Sequence, residues 1–229
     1  MWLAAIAACG GSIDLPTLPG PAPAGLRSAT ELVTDCFDYP EQPFDKHRHA
    51  DVGTRLTAGD RAVDFTLRDV KGNAVRLADL LVDKPVLLVQ GSWTCPRFQQ
   101  ERPGLEQTVK RFRNDVTVVL VYGIEAHPGG NDPSPYRGKP WPEAFSDRKQ
   151  PKTYDERLRN ARDIARDASM RVVVDAVDAP GANPVWCTYG TCPSCSWLIR
   201  RDGTIAAQQE WHDQATIEGS IAALLAEAR

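Results

Sequence analysis

The chain has 229 residues, enough for one sizeable buried core plus an arm or an insertion. It is 42% hydrophobic and 25% charged with a formal net charge of −3, an ordinary globular balance that offers nothing electrostatic to nucleic acid or to an anionic membrane. Six tryptophans are generous for this length, and eighteen prolines call for long irregular segments.

The first residues read MWLAAIAACGG, in which Ile6, Ala7, Ala8 and Cys9 have the form of a bacterial lipoprotein box. A lipid on Cys9 would make an exported protein, tethered or periplasmic, anchored rather than spanning. Only eight residues precede Cys9 and none is basic, which leaves a cytoplasmic protein with an apolar start as the alternative. No later segment approaches the ~20 apolar residues of a membrane helix. Leu15 to Gly25 is a Pro/Gly/Ala linker, and Leu26 to Asp60 an irregular arm. The expected organisation is a signal remnant (1–9), a linker and arm (10–58) and one domain (59–229).

The domain opens with AVDFTLRDVKGNAVRLADL, whose alternation and Lys71-Gly72-Asn73 turn predict a hairpin. PVLLVQ (Pro85 to Gln90) is a continuous apolar run, as a strand covered on both faces requires. Leu105, Val109 and Phe112 then recur at helical spacing, with Pro103 expected to bend that helix. VTVVLVYGI (Val116 to Ile124) is a second buried strand, followed by a Pro/Gly-rich insertion. Thr153 opens a charged helix through Leu158 and Ile164 to about Ala168, and RVVVDA is a third buried strand. SWLIRRDGTIAAQQEW is a hairpin turning at Asp202-Gly203, and Ile217, Ile221, Leu224 and Leu225 mark a closing amphipathic helix. This order predicts an α/β, thioredoxin-like mixed sheet with helices on both faces, an N-terminal extension and an insertion after the second core strand.

Two clusters carry chemistry. In GSWTCPRF, Cys95 stands at the strand-to-helix turn with Pro96 at the first helical position. Unpaired backbone N–H groups and the helix dipole favour the thiolate there, so a lowered thiol pKa is expected. Ser92 and Thr94 offer hydroxyls and Arg97 a positive charge; the bland alternative is a buried structural cysteine. A thioredoxin-type partner three residues on is replaced by Phe98. The next strand ends in VYGIEAHP, bringing Tyr122, Glu125 and His127 to the same edge of a parallel sheet. His127 suits proton transfer, and Glu125 suits orienting the imidazole or acting as the acid.

GSWTCPRF followed by VYGIEAHP at this separation resembles the iodothyronine deiodinases, and the similarity continues through Ser134 to Tyr136, the charged helix around Asp155 to Arg157 and the DGTI turn. The resemblance puts Cys95 where that family has selenocysteine, and Ser92, Thr94, Tyr122, Glu125 and His127 on its other active-site positions. It implies a thioredoxin-fold reductase that removes a halogen or attacks another soft electrophile and is regenerated by thiols. It also implies a possible homodimer, with a small thiol or thioredoxin-like protein as reductant. The chain departs from the family at Ile124 (commonly glutamate), Pro151 (histidine) and Trp211 (arginine), positions tied to hormone binding.

WCTYGTCPSCSW adds Cys187, Cys192 and Cys195. Pro193 matches the cis-proline loop of thioredoxin-like proteins, and Cys192 or Cys195 would then resolve Cys95. Structural disulfides, such as Cys187 with Cys36 or Cys192 with Cys195, are the main alternative. Iron–sulfur or zinc ligation by the same three cysteines is a lesser one, and His47 and His49 read as a solvated charged loop. The expected function is a thiol-dependent oxidoreductase acting on a halogenated aromatic, without a metal or other cofactor. Peroxide reduction and thiol–disulfide exchange compete within that class. A surface-anchored binding or scaffold protein with a degenerate redox fold competes from outside it.

Overall fold

A computed structural model describes residues 25–27, 52–136, 140, 146–177 and 183–227. Cys9, the linker before Gly25, Cys36, His47 and His49 lie outside the described residues.

The apolar runs form the strands expected of them. β1 (Thr66–Asp69) and β2 (Ala74–Arg76) make the first hairpin, with Leu67 opposite Val75. β3 (Val86–Gly91) is buried along its whole length and pairs in parallel with β4 (Thr117–Tyr122), Val86 opposite Thr117 through Gly91 opposite Tyr122. β5 (Arg171–Val174) continues the parallel set beside β4. β6 (Ser196–Ile199) runs antiparallel to β3, and β7 (Ile205–Gln209) completes the second hairpin. One seven-stranded mixed sheet results, in the order β2-β1-β5-β4-β3-β6-β7.

Helices cover both faces. On one face α1 (Leu77–Asp83) and α4 (Pro184–Tyr189) pack over Leu88, Val121, Val173 and Trp197. On the other, α2 (Pro96–Phe112), α3 (Tyr154–Ala165) and α5 (Gln214–Glu227) pack over Leu87, Val89, Leu120, Val172 and Leu198. Truncating one of these buried leucines to alanine costs about 2–5 kcal/mol.

Three details differ from the sequence reading. β2 ends at Arg76, and the residues read as the rest of a strand form α1, whose Ala78 amide is held by the Asp64 carboxylate (3.1 Å). α3 ends at Ala165 rather than Ala168. The short helix α4, not anticipated, bears Trp186 and Cys187 on buried positions. The described residues before 59 are stitched to the domain. Thr54 bridges to Gly190, where a Cβ would come within 2.6 Å of the Gly53 carbonyl, and the Trp197 indole donates to the Leu56 carbonyl (3.0 Å).

Candidate active site

Neighbouring parallel strands of equal register deliver their C-terminal residues to one crevice. Here Gly91 of β3 faces Tyr122 of β4, so the turns that follow, Ser92–Cys95 and Gly123–His127, leave side by side. The Gly123 amide donates to the Gly91 carbonyl (3.2 Å), which keeps them together beyond the strands. Gly91 itself admits the Phe98 ring, since a Cβ there would lie 2.5 Å from it. Phe98 thus fills the space behind Cys95 as core, in the position where a thioredoxin-type site would carry its second thiol.

Cys95 is the N-cap of α2, and its sulfur accepts from the Phe98 amide (3.4 Å). The helix-start donors expected to favour the thiolate are therefore present. Burial outweighs them: Cys95 is 1% exposed, and its pKa is raised to about 11. Desolvation is the first cause, the Phe98 and Arg97 amides oppose it, and the Glu125 charge adds to it. The lowered pKa expected from the sequence is corrected accordingly, because the positive end of a helix cannot offset the loss of water around an anion in this packing. Among the described residues Cys95 is the free cysteine.

Glu125 is completely buried and organises the site. Oε2 accepts from the Thr94 amide (3.0 Å) and the Thr94 hydroxyl (2.8 Å). Oε1 accepts from the Asn160 side chain (3.0 Å) and, in a very short bond, from the Tyr122 hydroxyl. Four donors on one buried carboxylate make a satisfied network, the condition under which a buried charge is tolerated. Tyr122 in turn accepts the Trp93 amide (3.1 Å), and burial followed by the Glu125 charge holds its phenol well above the usual range.

His127 is tied to the same turn. Its amide donates to the Thr94 hydroxyl (3.1 Å), and its Nδ1 lies 2.9 Å from the Thr94 carbonyl. A carbonyl only accepts, so Nδ1 carries the proton and Nε2 is the basic nitrogen. Burial lowers the His127 pKa, against the opposing Thr94 bond, and the ring is neutral at pH 7. Glu125 makes no direct bond to the imidazole among the described contacts: both it and His127 bond Thr94, Glu125 through its Oε2 and His127 through its amide and Nδ1. Ser92 accepts the Ala126 amide (3.4 Å) and completes the link between the turns.

All six residues read as catalytic come together here, and the structure adds others. Gln150 brackets Glu125, accepting its amide (2.9 Å) and donating to its carbonyl (3.0 Å). Asn160 lies on α3 beside the buried stripe of Arg157, Ala161 and Ile164; a polar residue flanking such a stripe was the signal available for it. Arg148 stacks its guanidinium 4.0 Å from the Trp93 ring centroid and bonds Asn160 (2.9 Å) and Asp163 (2.7 Å).

Of the late cysteines, Cys187 lies on α4, and Cys192 and Cys195 lie in the loop before β6. Cys192 and Cys195 form a disulfide, the pairing read as a structural alternative, and both are fully buried. The loop approaches the Cys95 strand through the Gln90 amide, which donates to the Cys195 carbonyl (2.9 Å). The two sulfur sites nevertheless pack on opposite faces, Cys95 with Phe98 and Val89, the disulfide with Trp197 and Tyr189. Cys187 is also disulfide-bonded. Among the described residues no three His, Cys, Asp or Glu side chains gather as a metal site. Pro193 stands between the paired cysteines, and His212, buried against the same loop, donates its amide to the Ser194 carbonyl (2.6 Å).

A family model described as iodothyronine deiodinase matches residues 45–210. Among solved structures, an uncharacterized conserved protein from Geobacillus kaustophilus superposes with a TM-score of 0.55 at 18% identity, over 77% of this chain and 86% of its own. A putative thiol:disulfide interchange protein DsbE from Chlorobium tepidum gives 0.50 at 21%, over 73% and 97%. The thioredoxin domain of a thiol-disulfide oxidoreductase from Bacteroides vulgatus gives 0.50 at 20%, over 72% and 99%. These likenesses fix a thioredoxin-like fold. No curated protein matches the chain. No helix among the described residues is long and apolar enough to cross a membrane.

Proposed function

The chain belongs to the iodothyronine deiodinase family and is on that ground an oxidoreductase of thioredoxin-like fold, and from this premise we propose that it is a cysteine-based reductive dehalogenase of aromatic substrates. The observation that carries the reading is the Cys95 turn clamped to Glu125 through Thr94 and Tyr122, with a neutral His127 on the same turn.

In the first step the Cys95 sulfur attacks the halogen of an aryl iodide. His127 Nε2 takes the thiol proton and passes it to the carbon, so that Ar–I and Cys–SH become Ar–H and Cys–S–I. A raised thiol pKa keeps that proton in place until substrate arrives. A thiol then displaces iodide from sulfur, forming a disulfide with Cys95 and releasing a proton. A second thiol releases Cys95 as the free thiol, completing a two-electron reduction. Cys192 and Cys195, when reduced, can serve as these two thiols, Cys192 joining Cys95 and Cys195 then closing on Cys192. A free Cys95 beside a closed Cys192–Cys195 bond is the end state of that relay. Because the two sulfur sites face opposite sides of the sheet, the relay requires the reduced turn around Pro193 to rearrange. Paired cysteines also favour an oxidising compartment, in keeping with export and a lipid on Cys9.

The test is turnover by the purified full chain with 3,5-diiodotyrosine, hydrogen peroxide and an oxidised protein, each with dithiothreitol. The reading expects iodide release that Cys95→Ser abolishes. Activity confined to peroxide or to protein disulfides would move the protein to the competing thiol chemistries. Absence of any Cys95-dependent turnover would favour a binding or scaffold role.

A further inference from the structure

Next to the Glu125 network lies an open groove of about 330 Å³, lined in part by Asp132, Arg148, Lys149, Lys152, Glu156 and Arg159. Its remaining wall is made by Gln150, Pro151 and Asn160, and Gln150 and Asn160 are the residues that hold Glu125. The groove therefore shares two of its wall residues with the Glu125 network. The chain as a whole carries a net charge of −3, yet this lining has four cationic and two anionic side chains.

The two carboxylates are already engaged by the backbone. Asp132 accepts the Gln150 amide (2.8 Å), and Glu156 accepts the amides of Lys152 (2.7 Å) and Thr153 (3.2 Å) in the capping box of α3. Arg148 is held between Asp163, Asn160 and the Trp93 ring. Lys149, Lys152 and Arg159 are different: among the described residues no ion pair engages them. Lys149 is also positioned, because Gly130 (φ +67°) leaves room for its stem, and a Cβ there would lie 3.0 Å from the Lys149 chain. Three cations without an ion pair among the described residues, lining one concave surface beside the residues that hold Glu125, form a receptor for an anion.

We propose that this groove binds the carboxylate of a small organic molecule whose reacting end lies at Cys95. The carboxylate belongs either to the halogenated aromatic substrate or to an acidic thiol reductant. The site rests on the dehalogenase reading only for which reaction it serves. It is a departure within the fold, since Pro151 of the groove stands where the family resemblance has a histidine.

Calorimetric binding to the reduced full chain separates these sources. The probes are 3-iodobenzoate, its neutral counterpart 3-iodobenzamide, and S-methylglutathione, which carries carboxylates but no free thiol. Lys149→Gln/Lys152→Gln/Arg159→Gln should weaken at least one carboxylate probe about tenfold and leave 3-iodobenzamide unchanged. The charge-keeping variant Lys149→Arg/Lys152→Arg/Arg159→Lys should bind as the wild type does. Loss confined to 3-iodobenzoate assigns the groove to the substrate, and loss confined to S-methylglutathione assigns it to the reductant. Equal affinity for 3-iodobenzoate and 3-iodobenzamide together with no change in S-methylglutathione binding would overturn the proposal, as would failure of the protein to bind either carboxylate. Binding to Cys95→Ser should persist, so a failed turnover assay and a failed groove give different results.

Discussion

Two cysteine-bearing turns stand at the same end of adjacent strands, and they are built oppositely. The turn after β3 holds a free thiol, and the Thr94 amide and hydroxyl beside it and the Tyr122 hydroxyl answer to one buried carboxylate. The turn before β6 holds a closed disulfide within apolar packing, and His212, whose amide donates to the Ser194 carbonyl of that turn, is kept neutral by burial. The first arrangement holds a thiol that burial keeps protonated. The second stores two electrons' worth of oxidation. A thioredoxin-type site carries both cysteines of a Cys-x-x-Cys unit at one helix start; here Cys95 stands alone at the start of α2 with Phe98 packed three residues on, and the Cys-x-x-Cys spacing occurs at Cys192 and Cys195 in the other loop.

The contrast can be broken most severely at Glu125. Glu125→Ala would leave the Thr94 amide and hydroxyl, the Tyr122 hydroxyl and the Asn160 amide without their shared acceptor. At about 1–3 kcal/mol for each orphaned buried group, partly relieved by entering water, a loss of about 3–5 kcal/mol is expected. Urea unfolding measures it; a loss below ~1 kcal/mol would mean the network is not cooperative.

His212 sharpens the other turn. Burial lowers its pKa from 6.5 to about 4, so between these values the unfolded chain takes up a proton that the folded chain refuses. Its contribution is present above pH 6.5 and is lost as pH falls toward 4, on the order of 3 kcal/mol. Asp175 works against it, since burial raises its pKa from 3.8 to about 6 and its contribution is lost as pH rises through that range. His212→Gln should therefore flatten the acid limb of stability against pH, and an unchanged limb would contradict the burial argument.

The smallest effect concerns Cys95 itself. Its pKa of about 11 exceeds the ordinary 9.0, so the folded state keeps a proton that the unfolded chain releases. Stability from this source is complete below pH 9 and is lost as pH rises toward 11, on the order of 2–3 kcal/mol. Alkylation of the native, substrate-free protein should rise steeply above pH 9. A plateau at neutral pH would mean that the helix start prevails over burial after all.

Much of this site could be read from the chain. The β3 run, Pro96 at a helix start and the six polar positions on two strand ends are local patterns, and the structure brings those residues together as the patterns imply. What could not be read depends on distant partners. α4 has no side-chain cap of its own: Asn183 stands at its start with φ 54°, and Asp175 supplies the acceptors for the Val185 (3.1 Å) and Trp186 (3.0 Å) amides. α1 was hidden because VRLADL alternates as a strand does, while its capping carboxylate, Asp64, is 14 residues away from Ala78. The thiol pKa turned on how deeply the tertiary packing buries Cys95, which no local motif encodes.

One measurement bears directly on the division of labour between the turns. The chain is reduced, freed of reductant, given one equivalent of 3,5-diiodotyrosine, and its cysteines are mapped by differential alkylation and peptide mass spectrometry. The account predicts one iodide released for each Cys192–Cys195 disulfide that re-forms, with Cys95 recovered as a free thiol. In Cys192→Ser the oxidation should remain on Cys95. Iodide released while Cys95 and the pair both stay reduced, or release undiminished in Cys95→Ser, would contradict it.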